Sequence, residues 1–194
     1  MAYTSYTPDG FRPTRTRGGT GRGNVMDRYR INPLGYATAL AVGDPVKVTA
    51  GYIQRCSATT DFTIGIFAGV LYNDPTSKRP TWSQIYTANT SVGASDPLGI
   101  QCFVFDNEQG VFRIQADASV SVGDVGLNFD VTLGTPSATT QRSQYGLKAG
   151  SRKTTTALVR VVDIVEEPGN AFSDAFPKVL VQFVQTRNTN VSAT

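Results

Sequence analysis

The run Ile100-Gln101-Cys102-Phe103-Val104-Phe105, the polar residues 106–110 and the run Val111-Phe112-Arg113-Ile114-Gln115-Ala116-Asp117 decide the fold class. In the second run Phe112, Ile114 and Ala116 fall on one side of an extended chain, with Arg113, Gln115 and Asp117 on the other. Alternation with period two marks a half-buried strand, because successive strand side chains point to opposite faces. Two such runs joined by a short turn-rich segment predict a β-hairpin.

Working outward, the same character recurs. Residues 63–72 (TIGIFAGVLY) are apolar on both faces, as a buried strand is, and Gly65 and Gly69 permit bends or close approach. Residues 156–165 (TALVRVVDIV) predict a central strand, and 178–185 (KVLVQFVQ) the strand that closes the fold. Gly51 separates strands at 46–49 and 52–56, while Asn32-Pro33-Leu34-Gly35, 73–80 and 89–99 carry turn and loop chemistry. Ala41-Val42-Gly43-Asp44 is echoed by Ser121-Val122-Gly123-Asp124, which is expected to launch a strand over 125–133. Shared turn chemistry accounts for the echo: glycine supplies a positive φ and aspartate caps the turn. Residues 134–155 read as a long surface loop with a touchdown at Tyr145-Gly146-Leu147.

Composition agrees. Threonine occurs 24 times and valine 20, against 9 leucines, 5 lysines and 3 glutamates, so β-branched residues dominate the usual helix formers. The expected fold is all-β: a jelly-roll-like or Greek-key sandwich of about eight strands. Its body spans 31–187, preceded by a basic arm at 1–30 and followed by a polar tail at 188–194.

The arm holds the chain's positive surplus. Arg12, Arg15, Arg17, Arg22, Arg28 and Arg30 face only Asp9 and Asp27, and glycines and prolines replace aliphatic side chains. Such a segment is expected to stay flexible until a partner orders it. With Tyr29 beside them, these six arginines are the candidate protein-contact residues, since arginine and tyrosine are enriched at such contacts. The remainder of the chain is close to neutral, so direct nucleic-acid contact is not expected.

The sequence contains no histidine, which removes the commonest general base and metal ligand together. Two isolated cysteines, Cys56 and Cys102, cannot form a zinc site and read as buried free thiols. Glu166 and Glu167 are adjacent on an extended chain and diverge, whereas Asp117, Asp124 and Asp130 have ordinary turn roles. No catalytic set, cofactor or metal site is expected. No run is long and apolar enough to cross a bilayer, nor does the N-terminus resemble an export signal.

The run Leu34-Gly35-Tyr36-Ala37-Thr38-Ala39-Leu40-Ala41-Val42-Gly43-Asp44-Pro45-Val46, followed by Ile64-Gly65-Ile66-Phe67-Ala68-Gly69-Val70 and the excursion over 72–87, resembles the cement (decoration) proteins of tailed-phage capsids. The resemblance spans about 31–185 and lies in style and element order, without a signature motif. It implies a jelly-roll-like body on the exterior of a virion's capsid shell, a homodimer or homotrimer bound to the major capsid protein and clamping neighbouring subunits. The arm would extend that contact. The alternatives are a tail, neck or receptor-binding virion component, or a carbohydrate-binding sandwich using Trp82 and Tyr86.

Overall fold

A computed structural model describes residues 3–16, 26–57, 61–107, 109–184 and 186. In chain order the strands are β1 (Arg12–Thr16), β2 (Met26–Ile31), β3 (Leu40–Ala41), β4 (Pro45–Thr49), β5 (Tyr52–Arg55), β6 (Gly65–Asn73), β7 (Pro80–Ser83) and β8 (Ile85–Tyr86). They continue with β9 (Ile100–Phe105), β10 (Gly110–Gln115), β11 (Asn128–Phe129), β12 (Val131–Thr132), β13 (Gly146–Leu147), β14 (Val159–Ile164) and β15 (Lys178–Phe183). Among the described residues the helical content is two single 3-10 turns, at Val122–Asp124 and Ala149–Ser151. The chain is all-β.

Two antiparallel sheets carry the fold. Sheet one runs β1-β10-β15-β14-β11; sheet two runs β2-β9-β6-β4-β5, with β7 pairing the far end of β6. Ribbons β3-β8 and β12-β13 flank them. Sheet two curls so that β2 and β5 approach one another. Inside the curl Ile31, Val46, Ile53, Phe67, Val70, Cys102 and Val104 form one apolar cluster. Phe11, Phe112, Ile114, Val159, Val161, Val181 and Phe183 anchor a second under sheet one. Ile66 of β6 belongs to the second cluster and Phe105 packs on it, so the two halves share hydrocarbon at their join.

The predicted hairpin at 100–117 is corrected. β9 pairs with β2 and β6, whereas β10 pairs with β1 and β15, so residues 106–110 carry the chain from one sheet to the other. The segment still turns locally, with Gly110 N–H donating to Asn107 O at 3.0 Å. Both strands are interior and take long-range neighbours on each side, and such sheet-switching corners carry the same local signals as a hairpin. The strand expected over 125–133 is reduced to the two short pieces β11 and β12.

Residues 3–16 and 26–30 depart from the expected flexible arm, while residues 1, 2 and 17–25 of that arm lie outside the described residues. Residues 3–16 strap across sheet one, and 26–31 form an edge of sheet two. Phe11 is wholly buried, its ring 5.1 Å from Phe183 and edge-on to Phe112 at 6.4 Å. Burying one such side chain contributes about 2–3 kcal/mol, enough to order a few neighbours. Tyr3 donates to Glu167 at 2.6 Å, Tyr6 shares a 2.8 Å hydrogen bond with Thr132, and Thr7 N–H donates to Gln115 at 2.9 Å. Gly10 (φ +74°) is required where the strap dips in: a Cβ there would lie 2.3 Å from that of Ser143. The physical reason for the correction is that burial is supplied by residues distant in sequence. The polar tail at 188–194 lies outside the described residues.

The 32–35 turn and the cysteines follow the sequence reading, and one turn is corrected: Gly43 has the expected positive φ (+100°), whereas Gly123 does not, because 122–124 close as a 3-10 turn. Gly35 N–H closes the 32–35 turn on Asn32 O at 3.0 Å. Cys56 and Cys102 are free and buried; desolvation pushes the Cys56 thiol up to about 12 and Cys102 upward too. Tyr145 and Leu147 do touch down, both almost fully buried, with the Tyr145 hydroxyl donating to Cys56 O.

Candidate protein-contact face

β2 (MDRYRI) alternates over its second half: Tyr29 packs toward the sheet-two cluster and Ile31 is buried in it, while Arg28 and Arg30 are exposed on the other side with Met26; Asp27, near the strand's start, is exposed as well. The ladder continues that outer side across four strands. Arg30 stands opposite Gln101, Gln101 opposite Leu71, and Leu71 opposite Trp82. One step along, Arg28 stands opposite Phe103 and Phe103 opposite Gly69. The Trp82 indole leans over Gly69, where any Cβ would meet it at 2.4 Å, and packs on Phe103 with ring centroids 5.0 Å apart. Trp82 nonetheless stays 49% exposed and Met26 46%. The result is a strip of indole, phenyl and leucine side chains bordered by guanidinium groups.

The electrostatics of the strip are one-sided. Arg28 donates to Gln101 at 3.1 Å, and among the described residues neither Arg28 nor Arg30 pairs with a carboxylate. In the 89–99 loop that precedes β9, Asp96 has its oxygens occupied by the Asn73 amide and by Leu98 and Gly99 N–H groups. Those bonds, the Asn73 amide first, hold its carboxyl below the usual range.

The other predicted contact residues separate. Arg12 is drawn inward to Asp9 at 3.1 Å, in a cluster where Arg113 and Arg142 also approach that carboxylate at 3.5 and 3.8 Å. Arg15 is exposed on β1, well apart in topology from Arg28 and Arg30 on sheet two. Tyr29 turns inward and donates to Asp106. Arg17 and Arg22 lie outside the described residues. Trp82, Phe103 and Leu71 were missed as members of a common face. The readable signal was the Met26-x-Arg28-x-Arg30 alternation, hidden by reading that segment as unfolded.

The candidate acids are dispersed. Asp117 accepts Ala149 N–H at 2.8 Å, Asp124 meets Arg152 at 2.5 Å, and Asp130 meets Lys153 at 2.5 Å. Glu167 accepts from Tyr3 and pairs with Lys178 at 3.1 Å, and those bonds lower its pKa. Glu166 is exposed. No group of three or more Cys, Asp or Glu side chains suited to a metal occurs among the described residues. An open cavity of about 660 Å³ lies between Tyr6–Asp9 and the 132–144 segment. Its lining offers hydroxyls, Gln144 and the Arg142 already beside Asp9. No protein-family model matches the chain, and neither a curated protein nor a solved structure is significantly similar to it. Among the described residues no helix is long and apolar enough to cross a membrane.

Proposed function

We propose that this chain is a structural virion protein that binds the outside of a capsid shell and clamps neighbouring subunits, acting by adhesion and not by catalysis. The observation that supports it is the strip on β2, β9, β6 and β7, where Trp82, Phe103, Leu71 and two arginines share one face. Aromatic residues and arginine are the side chains that anchor protein interfaces. The contact is reassigned from a free arm to this face, because residues 3–16 are spent on the chain's own sheet one.

Size bears on how such a clamp works. Four strands at about 4.8 Å spacing, each about six residues long, make a patch on the order of 400 Å². Stable interfaces bury about 800 Å² on each partner, so one face alone holds weakly. A homodimer or homotrimer would present several faces at once, and release of one would leave the others attached. Internal pressure that parts shell subunits would then have to break several contacts together. The carbohydrate-binding alternative loses its second platform residue, since Tyr86 is fully buried and hydrogen-bonded to backbone around Tyr36 and Thr90.

Quantitative mass spectrometry of purified particles tests the role by counting this chain against the shell protein. Copy numbers comparable to the shell protein are expected. A few copies per particle would move the chain to a tail or neck, and absence from particles would remove the role.

A further inference from the structure

We infer that the Trp82 strip docks an acidic, aliphatic-bearing segment of another protein. This deepens the adhesive role and rests on it for the partner being a protein. The chemistry comes from the two ends of the strip. At one end, the Trp82 indole on β7 and the Phe103 ring on β9 offer an apolar seat backed by Gly69, with Trp82 half exposed. On β2, Arg28 and Arg30 project at the other end without a carboxylate partner among the described residues. An occupant carrying carboxylates at one end and aliphatic side chains a few residues along the chain satisfies both ends.

Charge decides against the other occupants. A second copy docking face to face about a two-fold axis would bring four guanidinium groups into one interface with no carboxylate of the strip to neutralise them, a like-charge excess that specificity avoids. Nucleic acid would find two uncompensated cations on the strip, too few for appreciable phosphate neutralisation. Lys78 on the β6–β7 turn adds little, because it stands near Asp74 and Asp96. A carboxylate-bearing protein segment gains from the same cations by electrostatic complementarity and buries the indole as its anchor.

Trp82 is the only tryptophan in the chain, so its emission reports this face alone. The full chain is titrated with a short synthetic peptide carrying a run of glutamates followed by a run of leucines, its lysine-for-glutamate counterpart, and polydeoxythymidine. The glutamate peptide is expected to shift Trp82 emission to the blue, saturably and less at high salt. The R28E/R30E variant should weaken that binding about tenfold or more and respond to the lysine peptide instead. R28Q/R30Q, which keeps polar length, should weaken binding without the reversal. No response to the glutamate peptide, an equal response to the lysine peptide, a response to polydeoxythymidine, or a blue shift with concentration of the chain alone would each overturn the inference. A chain abundant on particles yet silent to the peptide loses the face and keeps the role. One absent from particles yet responsive keeps the face and loses the role.

Discussion

The corners Val42-Gly43-Asp44 and Val122-Gly123-Asp124 carry the same aspartate hydrogen bonds on two different backbones and in two environments. In the first, Asp44 N–H donates to Ala41 O at 3.0 Å while Asp44 Oδ2 accepts Ala41 N–H at 2.9 Å. In the second, Asp124 N–H donates to Ser121 O at 3.0 Å and its Oδ2 accepts Ser121 N–H at 2.7 Å. Each aspartate is buried and each has an arginine. The arginines differ: Arg55 is 13% exposed and Arg152 56%. Arg55 also bonds Gly134 O and lies 4.6 Å over the Tyr145 ring, whose hydroxyl reaches Cys56 O. The first corner is therefore a sealed rivet between the two halves of the molecule, and the second is a surface cap. Local turn chemistry is common to both; what it is worth depends on what surrounds it.

The largest contrast should come from the charged pairs. Asp44→Ala strands Arg55 in a nearly dry site and is expected to cost about 3–5 kcal/mol in denaturant unfolding. Asp124→Ala loses a cap and should cost about 1–2 kcal/mol, while Arg152→Ala should cost less than about 1 kcal/mol. Equal costs for the two aspartates would break the comparison.

The glycines sharpen it. Gly43 has φ +100°, and a Cβ there would lie 3.1 Å from Asp9 O and 3.2 Å from Phe11 O, against the strap. Gly123 has no positive φ, and its nearest neighbour would be Ser121 Oγ at 3.7 Å. Gly43→Ala should lower stability by about 1–3 kcal/mol, and Gly123→Ala should stay within about 0.5 kcal/mol of the parent. A neutral Gly43→Ala would show that the strap is not seated against the first corner.

The smallest effect is a pH slope. Burial holds the Asp44 carboxyl above its ordinary value of 3.8, because Arg55 Nε at 3.5 Å is too distant for a hydrogen bond to offset desolvation. Between 3.8 and that raised value the folded state binds more protons, so this group's contribution falls as pH rises through the window. Glu167, lowered by Tyr3 and Lys178, acts oppositely: its stabilisation is present above 4.5 and lost as pH falls through the folded value. Thermal midpoints from about pH 3 to 7 should therefore steepen on the acid side in Asp44→Asn and flatten in Glu167→Gln. Parallel profiles for parent and both variants would contradict the assignments.

Much of the fold was legible because it is written in short-range chemistry. Gly35, Gly51 and the two Val-Gly-Asp corners punctuate the chain where the structure turns, and the alternation in 111–117 did mark a strand. Long-range choice was not legible. Nothing within 100–117 distinguishes a hairpin from a crossing between sheets, because that choice belongs to β2, β6, β1 and β15. The strap failed for the same reason: Phe11 supplies one aromatic ring, and Phe112 and Phe183 supply its site. Of the residues proposed for contact, Arg28 and Arg30 were chosen from charge, whereas Trp82 and Phe103 join their face only through register across four strands.

The division of the strands between the sheets also sets an order in time. Every strand of sheet two lies before Phe105, so that half can close while the ribosome is still at work. Sheet one cannot, since its middle strand is β15, ending at Phe183, and β1 reaches β15 only through β10. Residues 3–16, made before sheet two, are thus among the last to find their places, waiting unpaired while sheet two matures behind them. A nascent chain halted between Phe105 and Phe183 should be half native with residues 3–16 unattached, and slow to finish because its remaining contacts are long-range.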